Sequence, residues 1–306
     1  MAEHATHSAP NALDPTELFG HVQDSTELHV PRKLAPPHGH IALPQPFKLE
    51  QPLIEMHTGN ALIDNTIEPL DFKFTKYMAI ELVAAIIIAV LFIGLGQALK
   101  GGAIARGKLR NMLEAILFYF RDNVARPAIG HHDADHFVPF LWTIFLFVLA
   151  CNLFGMIPWL GSPTASLATT GALAMIVFFT VVVSSIKKLG GAGFVKSFVP
   201  HMDLPPVLKI FLVPMIFAIE VFGMFVKHGV LAVRLLANMM GGHVVLAVLV
   251  AFISASAASA WWYAVAPTSV LGATALSMLE LLVAFLQAYI FTFLAALFIG
   301  TAVHPH

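Results

Sequence analysis

From Tyr77 onward the chain is a succession of long apolar runs separated by short polar ones, a pattern absent from the residues before it. Residues 1–72 are rich in Pro, His and acidic residues, carry only short apolar patches such as Pro52 to Met56, and hold no long periodic segment. They read as an extended arm or small soluble cap, with the boundary near residue 76. Tyr77 to Leu99, bounded by Lys76 and Lys100 with Glu81 near its start, is long enough to cross a hydrocarbon core about 30 Å thick. Phe137 to Trp159 and Thr170 to Ile186 are the next two spans, joined by the short uncharged hairpin Gly161 to Thr170. In the loop after the first span, Leu109, Met112, Leu113, Ile116, Leu117 and Phe120 recur at helical spacing while Arg110, Glu114 and Arg121 occupy other positions. That periodicity predicts an amphipathic helix lying in the interface over roughly residues 105–125.

After Pro205 and Pro206 the pattern admits two architectures. Upright helices over Val207 to Val226, Val230 to Ile253 and Ser269 to Ile299 would make six spans, but Lys227, His228 and Gly229 form a poor loop with no strong turn signal. One helix from Val207 to Ala260 would run about 80 Å and would have to lie steeply tilted, giving five spans with a last helix over residues 269–303. The two place the C-terminus on opposite sides. Charge fixes the start: Lys100, Arg106, Lys108, Arg110, Arg121 and Arg126 follow the first span, whereas few Lys or Arg precede it, so the arm lies outside and the loop inside. Lys187, Lys188 and Lys196 return the chain to the inside after the third span. The first residues lack the basic and apolar regions of a cleaved signal, so the first membrane helix is expected to direct insertion.

The chain is 58% hydrophobic and 11% charged, which makes it an all-α polytopic membrane protein in which each charge inside an apolar run is conspicuous. A net charge of -1 gives no case for nucleic acid, and a single cysteine, Cys151, excludes a disulfide framework. His4, His7, His38 and His40 are irregularly spaced in the arm and read as incidental; no metal or cofactor is expected.

Arg234 lies in the apolar run Val230 to Val250 with no acidic residue within a helical turn or two. A central Arg costs about 2.5–3.5 kcal/mol on insertion scales, so such a residue faces a partner or an aqueous cavity. Glu220, Lys227 and Arg234 are spaced by seven, and on one continuous helix they form a single stripe that Asn238 extends by a turn. The plainer alternative makes Glu220 and Lys227 the snorkelling ends of separate helices, and Arg234 a packed residue bonded to carbonyls. Glu280 and Gln287, also seven apart, share a face of the last helix. Gln287 alone would be interhelical glue, whereas a carboxyl at the depth of Glu280 needs a partner or water. His243, nine residues and about 180° beyond Arg234, could be that partner, although a lone His is more often a packing residue. Two other classes compete. A secondary transporter would use Gly241 and Gly242 as a helix break and show repeat symmetry, which is not found; a haem protein would use His228 and His243 with facing histidines on another span, which are absent. A purely structural anchor would not need Arg234.

Arg234 to His243, RLLANMMGGH, followed by Glu280 to Gly300, ELLVAFLQAYIFTFLAALFIG, resembles subunit a of the rotary F-type ATP synthase, bacterial type. Pro139 to Pro158, Pro163 to Ala174, and the Glu220 and Lys227 positions fit the same pattern, so the resemblance covers roughly residues 77–303. It implies a membrane proton-channel domain with the last two helices long, tilted and hairpin-paired, five spans, the N-terminus outside and the C-terminus cytoplasmic in the bacterial inner membrane. It implies a stator subunit that offers two proton half-channels to a ring of subunit c, with subunit b forming a peripheral stalk and nucleotide chemistry confined to the F1 sector. Arg234 then corresponds to the family's essential arginine, Asn238 to the polar residue one turn on, and Gln287 to the glutamine facing it. The chain departs from some familiar bacterial members at one pair, where Glu stands at the position of His243 and His at that of Glu280. The exchange preserves an acid and an imidazole if the two touch. Glu280 and His243 are expected in the outer lane, with Glu220 and Lys227 in or near a lane on either side.

Overall fold

The computed structural model describes residues 27–29, 40–42, 45, 74–99, 108–157, 160–199, 206–257 and 259–304. Most of the arm, including His4, His7 and His38, lies outside them. Within the arm, β1 (Glu27–His29) pairs antiparallel with β2 (His40–Ala42), Leu28 opposite Ile41. The Gln45 amide donates to the Phe74 carbonyl and accepts from the Phe74 N–H, both at 2.9 Å, tethering the arm to the start of the first membrane helix.

That helix, α1 (Lys76–Leu99), is followed by α2 (Lys108–Tyr119), a wide π-helical turn (Phe120–Ala125), α3 (Arg126–Ile129), α4 (Ala134–Gly155), a 3-10 turn (Pro163–Ala165), α5 (Leu167–Ser197), α6 (Pro206–Ser256) and α7 (Trp262–Val303). Five of these, α1 and α4 to α7, are long and apolar enough to cross a membrane. Lys227, His228 and Gly229 sit inside the unbroken α6, which excludes six spans. At about 1.5 Å per residue, the 51 residues of α6 and 42 of α7 far exceed the membrane thickness, so both are long enough to lie at a steep tilt.

The boundaries differ from the sequence expectation in instructive ways. The α-helical part of the interfacial segment ends at Tyr119 and gives way to the wide turn, where Phe120 meets Phe145, ring centroids 4.3 Å apart. The Trp142 indole donates to the Leu117 carbonyl at 3.1 Å, and Arg121 grips Asp135 through two bonds of 2.8 and 2.7 Å, fastening this segment to the start of α4. Helix α5 runs eleven residues past Ile186, with a kink at Gly190. Helix α6 stops at Ser256 rather than 260: the Ser254 and Ser256 hydroxyls take the carbonyls of Ala251 and Ile253, competing with the helical ladder. Helix α7 begins seven residues early and tolerates Pro267, since the carbonyl that loses its partner belongs to Tyr263 at an exposed end, where a polar headgroup can serve it.

The core lies where α4 and the π-helical turn meet α7, with Val124, Leu141, Val148, Phe291, Ala295 and Ile299 buried. Small residues on α7 permit close approach, the device by which membrane helices gain packing without a hydrophobic driving force. Gly300 is the tightest case: a Cβ there would lie 1.9 Å from the Ala128 carbonyl oxygen. Just beyond it, His304 Nε2 is 3.1 Å from Asp133 Oδ2, and the Lys188 ammonium also bonds Asp133. Lys188 and His304 hold the Asp133 carboxyl below its ordinary range, so this clamp is present at neutral pH and is lost as pH falls through that lowered value. Gly300→Val is expected to destabilise the chain by about 1–3 kcal/mol, the usual cost of overpacking, read as a lower melting temperature in detergent. An unchanged melting temperature would mean that α7 does not seat against the Arg126–Ile129 turn.

Candidate functional site

Because α6 and α7 run antiparallel, advancing along one retreats along the other, and two of the polar pairs singled out in the sequence meet. Asn238 Nδ2 donates to Gln287 Oε1 at 2.8 Å. A few residues on, His243 Nδ1 lies 3.8 Å from Glu280 Oε1, within ion-pair distance and beyond hydrogen-bond distance. Glu280 and Gln287 are 6% and 3% exposed, so both polar heads are committed to the helix interface rather than to a solvated face. His243 Nε2 and Glu280 Oε1 have no hydrogen bond among the described residues, which marks this pair as the more poised of the two.

Gly242 makes room for it. A Cβ at that position would stand 2.7 Å from Glu280 Oε1, so a larger residue would push the carboxyl away from the imidazole. Helix α6 continues without interruption through Gly241 and Gly242. Gly242 is therefore a clearance, and the pair is not the broken helix that a secondary transporter would require.

Arg234 is half-buried and makes no hydrogen bond or ion pair within the described residues. It borders a shallow apolar depression with Val226, Gly229, Val230, Val233 and Ala237. Glu220 and Lys227 are exposed along the same helix and do not pair with each other, so the heptad stripe is a face of α6 that the other described residues leave open. Since all three residues belong to one helix, they are not the ends of separate upright spans. The structure thus joins Asn238 to Gln287 and His243 to Glu280, and sets Glu220, Lys227 and Arg234 apart from both pairs.

His228, the other histidine considered as a haem ligand, is a packing residue. Its ring lies 5.2 Å from that of Phe178 and 4.9 Å from that of Phe298, and Nδ1 donates to the Met224 carbonyl at 2.8 Å. No group of three or more His, Cys, Asp or Glu able to hold a metal occurs among the described residues.

One polar centre was not singled out residue by residue from the sequence. Asn152, fully buried in α4, donates from Nδ2 to the Ala284 carbonyl at 3.2 Å, between Glu280 and Gln287 on α7. Its Oδ1 accepts from Thr164 Oγ1 at 2.8 Å, and Thr164 in turn meets Ser162 Oγ at 2.8 Å. The available signal was a single Asn in the apolar run of the second span followed by a hydroxyl-rich hairpin.

Comparison with known proteins gives the same segments a common identity. A family model described as ATP synthase A chain matches residues 69–300, which takes in the first four membrane helices and all but the last three residues of the fifth. The chain is 39% identical over 241 residues to ATP synthase subunit a of Myxococcus xanthus (strain DK1622), covering 78% of this chain and 76% of that protein. It is 38% identical over 242 residues to ATP synthase subunit a of Chloroherpeton thalassium (strain ATCC 35110 / GB-78), covering 76% and 67% respectively. With ATP synthase subunit a of Rhodopseudomonas palustris (strain BisA53) it shares 35% identity over 261 residues, 84% of this chain and 96% of that one. A family match over most of the chain, with relatives above 30% identity aligned along most of their own length, places the chain in the ATP synthase A chain family.

Proposed function

We propose that Arg234 is the proton barrier of this subunit, and that His243 and Glu280 line the outer of two half-channels that it separates. By its family the chain is a proton-translocating subunit of the ATP synthase membrane sector and an integral protein of the bacterial plasma membrane; nucleotide chemistry belongs to other subunits. The observation that carries the proposal is the position of Arg234 on a face of α6 where it has no partner among the described residues. A guanidinium there requires an anionic or aqueous neighbour. A ring of subunit c covering that face, with a carboxylate passing Arg234, would supply one. The guanidinium keeps its proton under physiological conditions, so it attracts the ionised carboxylate and blocks direct passage between the lanes. Each proton crossing is worth about 2.3 kcal/mol per 100 mV, which becomes rotation only if no short circuit exists. Glu220 and Lys227 stand on the same face and serve a lane beside the ring; subunit b and the F1 sector hold this chain stationary against it.

The proposed orientation places the arm outside and the C-terminus in the cytoplasm, since five crossings separate them. A cysteine placed beside His304 should resist an impermeant reagent applied outside intact cells. Labelling from outside would reverse the assignment of both lanes.

Arg234→Lys is expected to abolish ATP-driven proton pumping while the complex still assembles, because an ammonium surrenders its proton more readily in a desolvated site. Retained pumping would remove Arg234 from the mechanism.

For the paired residues, His243→Ala and Glu280→Ala should each depress passive proton flux through the membrane sector. Combining His243→Glu with Glu280→His should recover more flux than either single exchange, because it restores one acid and one imidazole across the 3.8 Å contact. Additive losses without recovery would assign the two residues to separate environments.

A further inference from the structure

A cleft of about 440 Å³ opens between α1, α2 and α4, lined by no residue of α6 or α7. Its depth is apolar: Phe92 stacks on Trp142, ring centroids 6.5 Å apart, and Leu117 and Val138 continue the walls. The Trp142 indole is held by the Leu117 carbonyl, which fixes this wall in place. Along α4 the lining runs from Asp135 in the first turn to Trp142 two turns further on, from the membrane interface towards the hydrocarbon. The polar end is made of Asp135 with Glu114 and Arg121, which stand about two turns apart on the face of the interfacial segment that borders the cleft. Their charges do not balance. Arg121 and Arg126 are matched by Asp135 and Asp122, whereas the half-buried Glu114 makes no hydrogen bond or ion pair among the described residues. Arg121 binds Asp135 through Nε and Nη2, which leaves Nη1 without a hydrogen bond among them.

We propose that this cleft is a phospholipid site for a headgroup bearing a primary ammonium, with the ammonium on Glu114, the phosphate on Arg121 and the upper acyl chain against Phe92 and Trp142. The volume lies in the range of small-molecule sites. A partner's membrane helix, about 10–12 Å across and about 30 Å long, would not fit in it. An amphipathic segment at the bilayer surface meets lipid from the side, and a lipid brings one polar and one apolar end in the order the cleft presents them. Glu114 selects the class. An anionic lipid is recognised by clustered Lys and Arg, whereas here the unmatched charge is negative and the nearest cation in the lining is already shared with Asp135. A quaternary ammonium would answer the charge of Glu114 but could donate no hydrogen bond to it; a primary ammonium does both. At the other end the free Nη1 of Arg121 suits a phosphate oxygen. The site stands apart from the proton-channel scheme, and only its assignment to the inner leaflet uses the orientation proposed above.

The test uses the whole ATP synthase in phosphatidylcholine nanodiscs that contain a trace of phosphatidylethanolamine with a photoreactive group near the top of its acyl chain. Cross-linked peptides are mapped by mass spectrometry while unlabelled phosphatidylethanolamine or phosphatidylglycerol replaces part of the phosphatidylcholine. Labelling is expected around Phe92, Leu117 and Trp142, and phosphatidylethanolamine should suppress it at fractions on the order of tenfold lower than phosphatidylglycerol does. Glu114→Gln should remove that preference. Gly96→Leu should abolish the labelling by filling the cleft, since a Cβ at Gly96 meets nothing within 4 Å and a larger side chain enters open space. Equal suppression by the two lipids in the unaltered complex, stronger suppression by phosphatidylglycerol, or a preference that survives Glu114→Gln overturns the proposal. So does an absence of labelling, which would mean that another subunit covers the cleft. If Glu114→Gln does not assemble, unchanged labelling in Gly96→Leu overturns it instead.

Discussion

A polar group inside hydrocarbon must be satisfied by protein or water, and that requirement explains why α6 and α7 are built as they are. Two apolar helices of this length gain nothing from hydrophobicity when they associate in lipid, because the surroundings are equally apolar. The Asn238–Gln287 bond and the His243–Glu280 contact give the pair a register, since sliding one helix by a turn would strand four polar heads. Small residues on both helices then permit the approach that those short contacts need, Gly242 most directly.

The same requirement separates two kinds of polar residue in one membrane domain. Asn152, Thr164 and Gln287 are buried and matched to partners within the chain, so they specify packing and line the space between helices. Glu220 and Lys227 are exposed and Arg234 half-buried on a face of α6 that the other described residues do not cover. The proposed role beside a moving ring would require such an asymmetry: fixed polar contacts behind, and in front charge that the described residues leave unpaired. A guanidinium already held by an internal carboxylate would be neutralised before any ring site arrived.

Much of this was legible in the sequence because membrane physics leaves strong traces there. Spans announce themselves by length, and a heptad of charged residues inside an apolar run can only be one stripe of one helix once that helix is continuous. The break at Lys227, His228 and Gly229 was ambiguous because hydropathy measures apolar content and not chain direction; continuity of α6 came from the structure. Helix ends were misplaced where side chains compete with the backbone, as Ser254 and Ser256 do, or where a proline lies in an exposed terminus. Asn152 was visible as a residue but not as a polar centre, since its significance depends on which helix faces which. No spacing rule joins positions 152 and 284.

The proposed lane bears on how an acid and an imidazole can be distributed between α6 and α7. A proton lane requires that titratable groups adjoin, and it is indifferent to which backbone carries each, provided the local volume fits. Gly242 supplies that volume beside Glu280, so clearance and carboxylate form one unit across the two helices. A residue larger than glycine at 242 would be compatible only with a shorter or displaced group at 280. The size of residue 242 and the reach of the carboxyl at 280 are thereby coupled through a single contact, in which Arg234, nine residues away on the other side of α6, takes no part.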